Sequence, residues 1–219
     1  MSNETEILEA VKAGNVEKVK SLLLKDPNLI HAKTENQVSV ILLATYQRNS
    51  RLLEALLNNT DYALDIFEAA ALGITERVQE LLSDQPDLLN QYSPDGFSPL
   101  GLASFFGHPE TVKLLLDTGA IVNQPSQNNW QVQPLHSAVA SRNTEIVTLL
   151  LQHGADINVR QQHGFTPLHT AAQHGDAEMI KILLEHQADI NAITNAGETA
   201  MDIALKCNHT EAAHMFVAG

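Results

Sequence analysis

Cysteine is almost absent: Cys207 stands alone in 219 residues. No internal disulfide can form, which fits a reducing compartment, so a cytoplasmic protein is expected. Long apolar runs are missing as well. No stretch approaches the roughly 18–20 residues of a membrane helix, so no membrane is expected as a partner. The opening Met1-Ser2-Asn3-Glu4-Thr5-Glu6 lacks the basic segment and apolar run of a signal peptide. Positive charge is scarce, with 13 Lys and Arg against 26 Asp and Glu and a formal net charge of −13. Such a surface repels phosphate backbones, which speaks against nucleic acid and mildly favours a basic protein partner. The same charge also keeps an extended surface soluble. Aromatics make up only 5 % of the chain, so the place of each is informative. The apolar fraction of 44 % is that of a folded chain and excludes global disorder.

What is present is a repeat. Gly164-Phe165-Thr166-Pro167-Leu168-His169-Thr170-Ala171-Ala172-Gln173-His174-Gly175 runs on through Ile180-Lys181-Ile182-Leu183-Leu184 to Ala188-Asp189-Ile190-Asn191. The design recurs as Gln133-Pro134-Leu135-His136-Ser137-Ala138 and as Gly96-Phe97-Ser98-Pro99-Leu100-Gly101-Leu102-Ala103. Anchored on Ala10, Ala44, Ala69, Ala103, Ala138, Ala171 and Ala204, the units follow at spacings of 34, 25, 34, 35, 33 and 33 residues. Four residues after each anchor stand Gly14, Arg48, Gly73, Gly107, Arg142, Gly175 and Asn208. Gly and Asn suit a left-handed turn between two helices. At Arg48 and Arg142 the Asn that follows is expected to take the turn. Thr166 and Ser98 suit a helix N-cap, with Pro167 and Pro99 in the first turn. Ile146, Leu149 and Leu150 carry the helical spacing of a second helix.

The unit and its period resemble the ankyrin repeat family. The matching residues are Thr166-Pro167-Leu168-His169-Thr170-Ala171-Ala172, Gly175, Leu183-Leu184 and Ala188-Asp189-Ile190-Asn191, with a strong match from about residue 90 onward. The resemblance implies an all-α ankyrin-type solenoid of about seven helix-turn-helix repeats with hairpin fingers and a concave face. It would be one domain, 1–219, with repeats near 4–33, 34–62, 63–92, 93–127, 128–160, 161–193 and 194–219. Two irregularities are visible. The 25-residue step from Ala44 to Ala69 is about one finger short, so a gap is expected there. The segments Asp26-Pro27-Asn28-Leu29-Ile30 and Asp84-Gln85-Pro86-Asp87-Leu88-Leu89-Asn90 read as extended exits, and they suggest that repeats one and two mirror three and four through duplication.

The resemblance also implies which positions face the groove: the finger around its turn, and the two residues two and three after each anchor. Tyr92, Phe97, Trp130 and Phe165 then fall in fingers, and Tyr46, Phe105 and Phe106 on inner helices. Exposed aromatics in one patch mark interfaces, so these seven, with Arg160 and His174, are the candidate partner-binding residues, centred on repeats four to six. His136 and His169 stand where the family uses histidine to hydrogen-bond backbone between fingers. His108 and His174 flank turn glycines and could make binding pH-dependent.

Catalysis finds little support. The ten histidines show no two-His zinc spacing and no cysteine cluster, so no metal and no cofactor are expected. Cys207 has His209 nearby but no motif around it, and the glycines come singly rather than as a phosphate-cradling loop. The reading is a non-enzymatic, monomeric protein-interaction module or scaffold. Alternatives are an inhibitor or immunity factor that blocks a target's active site, a metal-dependent or thiol enzyme, and a structural spacer.

Overall fold

The computed structural model describes residues 2–58 and 62–217. Its helices form consecutive antiparallel pairs: α1 (Asn3–Lys12) with α2 (Val16–Lys25), α3 (Val40–Tyr46) with α4 (Ser50–Leu57), α5 (Ile66–Leu72) with α6 (Thr75–Asp84), and α7 (Pro99–Phe106) with α8 (Pro109–Asp117). Then come α9 (Pro134–Ala140) with α10 (Thr144–Gln152), α11 (Pro167–Gln173) with α12 (Ala177–Glu185), and α13 (Ala200–Lys206) with α14 (Thr210–His214). Odd-numbered helices form one row and even-numbered helices the other.

The inner row packs closely because its anchors are small. All seven anchor alanines are buried. The anchor carbonyl also ends its helix: Asn15, Ile74, His108, Asn143, Asp176 and His209 each donate their backbone N–H to the anchor five residues back. That six-to-one closure needs a left-handed residue just before the donor. Gly14, Gly73, Gly107, Gly175 and Asn208 supply it, with φ between 62° and 83°.

Arg48 and Arg142 correct the sequence expectation. They take the left-handed turn themselves, with φ of 51° and 56°. The asparagines that follow are used otherwise: Asn49 Oδ1 accepts from Leu52 N–H and Asn143 Oδ1 from Ile146 N–H, so each caps the next helix. Capping wins because an asparagine side chain satisfies an orphan donor of the helix start. The proline-containing exits are corrected too. Pro27–His31 and Pro86–Asn90 are 3₁₀ turns, not extended segments. Proline opens both, where its missing N–H costs nothing.

Turn geometry yields a testable contrast. A Cβ on Gly175 (φ 62°) would lie 2.6 Å from the His209 ring, whereas Gly154 (φ 86°) faces open space. Left-handed backbone alone costs a side chain about 1–2 kcal/mol. Gly154→Ala should therefore lose about 1 kcal/mol in urea denaturation, and Gly175→Ala at least about 2 kcal/mol because the clash adds to it.

Hairpins stand between pairs. Each closes with a backbone bond: Thr34 to Val38, Ser93 to Phe97, Ser126 to Val132, Gln161 to Phe165 and Thr194 to Glu198. The last four are stitched in a row. Gln127 N–H donates to Gly96 O, Gln162 N–H to Trp130 O, and Asn195 N–H to His163 O. Histidines brace them from below. His136 Nδ1 accepts from Gln133 N–H and Nε2 meets Phe165 O at 3.3 Å. His169 repeats this with Thr166 N–H and Glu198 O. An Nδ1 that accepts leaves the proton on Nε2, so both rings are neutral donors to the next finger.

Before α5 no such closing bond is found among the described residues. α4 ends at Leu57 and α5 begins at Ile66, too short a link for a hairpin of the kind seen elsewhere. Asn59, Thr60 and Asp61, part of the stretch where the gap was expected, lie outside the described residues. A buried carboxylate organises the junction instead. Glu68 Oε1 accepts from the Tyr62 hydroxyl at 2.7 Å and Oε2 from Asp65 N–H at 2.9 Å. Burial raises its pKa. The two larger sets of buried residues meet at the same place, one from Ile7 to Leu56 and the other from Ile66 to Phe216, while a small third set, Leu42, Ala71 and Leu102, spans it.

Candidate partner-binding groove

Tyr46 and Phe105 come from repeats two and four, yet their rings approach across repeat three. The residue between them on the inner row is Ala71, buried and too small to keep them apart. The Tyr46 ring lies 5.4 Å from Phe106 and 6.4 Å from Phe105, and Phe105 meets Phe106 edge-on at 5.1 Å. Phe97 packs into the same group. So does Phe67, which the sequence reading missed. The second residue of a short helix after a shortened unit carried no repeat signature that could have placed it.

The Tyr46 hydroxyl donates to Asp95 Oδ2 at 2.5 Å, and Ser93 donates to the other carboxylate oxygen. Burial, followed by the Asp95 charge, pushes the phenol pKa far up, so it stays a donor. This bond ties the inner helix of repeat two to the finger of repeat four, past repeat three.

Beside this bond lies an apolar hollow of about 160 Å³. Tyr46, Phe97 and Phe105 form one wall, and Val132, Ala140 and Thr170 extend it over repeats five and six. Arg48 holds its guanidinium 5.8 Å above the Phe105 ring and reaches the Phe105 carbonyl at 3.4 Å.

The other candidates are placed elsewhere. Phe106 backs the wall without lining the hollow. Tyr92 donates its hydroxyl to Pro125 O in the next finger. Trp130 stands on the fifth finger, 58 % exposed. Phe165 packs on His169 at 5.6 Å. Arg160 reaches Ile193 O at 2.6 Å. Burial, then the nearby Arg142, lowers the pKa of His174, so its ring is neutral near neutral pH. His108 lies over Gly73 and its Nε2 meets Ala71 O at 3.0 Å, a packing role rather than a free groove position. Cys207 ends α13, and the neighbouring His209 ring covers Gly175. Among the described residues no group of three His, Cys, Asp or Glu could hold a metal ion, and no helix is long and apolar enough to cross a membrane.

The family model described as ankyrin repeats in three copies matches residues 66–161, and one for ankyrin repeats in many copies matches 150–204. The chain belongs to the ankyrin repeat family. Residues 1–65 of this ankyrin repeat chain lie outside both matches. Similar proteins include ankyrin repeat and SAM domain-containing protein 6 of Rattus norvegicus, 37 % identical over 103 residues that cover 47 % of this chain and 11 % of that protein. The putative ankyrin repeat protein FPV031 of fowlpox virus is 40 % identical over 129 residues, 57 % of this chain and 38 % of its own length. The serine/threonine-protein kinase VIK of Arabidopsis thaliana is 38 % identical over 77 residues, 35 % of this chain and 17 % of its own. The chain thus spans well under half the length of these curated relatives.

Proposed function

We propose that this ankyrin repeat chain is a non-catalytic recognition module that binds a protein segment in its concave groove. Ankyrin repeats are generally protein–protein interaction modules. The observation that carries the reading for this chain is the apolar hollow walled by Tyr46, Phe97 and Phe105. Water in such a hollow has few polar partners, and an apolar side chain that displaces it gains by about 25 cal/mol for each Å² removed from water. Aromatic walls of this kind are where binding energy concentrates. A monomer at work in a reducing, cytoplasmic setting suits the single Cys207.

The test uses the whole chain as bait, immobilised as wild type, Phe105→Ala and the outer-helix control Glu80→Ala. A partner held by wild type and the control should be weakened about 30-fold or more by Phe105→Ala, the effect of losing a hot spot of about 2 kcal/mol. Circular dichroism must show the variant folded. Should it unfold, Ala140→Glu serves in its place, since Ala140 is exposed at the hollow and a carboxylate there blocks it without opening the core. A partner that is lost with Glu80→Ala and kept with the groove variants would reject the proposal.

A further inference from the structure

A second hollow, of about 670 Å³, lies on the concave face between α1 and the hairpin at residues 33–39. Tyr46 lines both hollows and divides them. Their chemistry differs. The lining of the second includes Glu4, Glu9, Glu35 and Asp95 against Lys12 and Lys33, four acids to two bases. Lys12 is committed to Glu9 at 2.9 Å. Asp95 is committed to the Tyr46 and Ser93 hydroxyls. Glu4 and Glu35 are exposed and join no ion pair among the described residues. No charged side chain lines the apolar hollow; Arg48 lies over its Phe105 wall, Asp95 is bonded behind its Tyr46 wall, and Arg142 in repeat five binds His174 O at 3.2 Å. The groove is therefore graded, apolar with basic edges over repeats four to six and acidic over repeats one and two.

We infer that the partner segment is an extended peptide with one large apolar side chain in the hollow of repeats four to six and lysine or arginine residues over repeats one and two. This rests on the groove-binding function proposed above and adds the chemistry of the partner. The spacing follows from the stack. Three inner-helix steps of about 8–10 Å separate the two centres, roughly 25–30 Å. An extended chain rises about 3.3 Å per residue, so anchor and basic residues are about eight positions apart. An acidic peptide would meet a lining in which Glu4 and Glu35 outnumber the equally unpaired Lys33, and a uniformly basic one would bring like charge to Lys33 and Arg48.

Selection of a random phage-displayed peptide library on the full chain tests this. Enriched peptides should share one large apolar residue with Lys or Arg about six to ten positions away. For the best enriched peptide, fluorescence polarisation should show that Glu4→Gln with Glu35→Gln weakens binding roughly fivefold and flattens its salt dependence. Phe105→Ala should weaken the same peptide more. Peptides that need Phe105 but ignore Glu4 and Glu35 overturn this inference and leave the groove function standing. Peptides indifferent to all three overturn both.

Discussion

Leu56→Ala should unfold the first two repeats while repeats four to seven stay folded. Leu56 is fully buried in the core set that begins at Ile7 and includes Val11, Val19, Leu22 and Leu52. Removing a buried leucine side chain costs about 2–5 kcal/mol. In a compact domain that loss would be shared by the whole molecule. In a solenoid each unit leans only on its neighbours. Here the neighbour contact is expected to be thinner, because the link between α4 and α5 is short and the second large core set begins at Ile66, with only the small set Leu42, Ala71 and Leu102 spanning the junction. Leu64 touches both sets, Leu72 of α5 packs on the first, and Tyr46 and Phe106 pack on the small third set on the groove side. Two repeats alone fall below the roughly three that ankyrin-like stacks need, whereas five remain on the other side. Hydrogen exchange reads the outcome directly. Amides of α1–α4 should lose protection in the variant while those of α7–α14 keep theirs. A uniform change along the chain would mean that the junction is as strong as any other.

Mild acid should destabilise the stack through His136. Burial holds its pKa at about 4, against an ordinary 6.5. The ring accepts from Gln133 N–H at Nδ1, so a proton there would face a donor as well as a dry environment. A histidine with a folded pKa below its unfolded value contributes stability in full above about pH 6.5, and the contribution is lost as pH falls through about 4. Between about pH 7 and pH 4.5 the loss is about 2.5 kcal/mol. His169, lowered by burial as well, acts in the same direction. Glu68 acts oppositely: its raised pKa favours the protonated acid in the fold, so its contribution is full in acid and lost as pH rises. The clean measurement is the stability gap between wild type and His136→Gln in urea. The variant is weaker near neutrality, because a finger brace is lost, and the gap should narrow by about 2.5 kcal/mol towards about pH 4.5. A gap that stays constant would mean that His136 is readily protonated in the fold.

Much of this was legible in the residues themselves. The Pro-Leu-His stretches placed His136 and His169 as braces through the resemblance to the ankyrin family, and both rings do meet the carbonyl of the next finger. The anchor alanines announced a tightly packed inner row. Tyr46 and Phe105 could be assigned to the groove by their offset from the anchors. Their meeting could not, because it depends on a third residue, Ala71, being small. Arg48 and Arg142 looked unable to serve as left-handed turns, since that conformation is costly for a long side chain. Each instead finds a carbonyl across the stack, at Phe105 and His174, and the following asparagine is freed to cap. Glu68 gave no sign of burial, because a carboxylate is expected to be exposed, and only the Tyr62 and Asp65 donors make its place tolerable.

The Tyr46–Asp95 bond bears on how the molecule responds to force. In a chain of stacked units loaded from its ends, every joint carries the same tension and the weakest parts first. The joint expected to part first lies between Leu56 and Ile66, where the two large core sets meet and the link is short. If it parts, Tyr46 leaves with the departing helices and the hollow over repeats four to six loses the wall it does not make for itself. A pull on the N-terminal repeats would thus be felt as a change in the shape of the hollow.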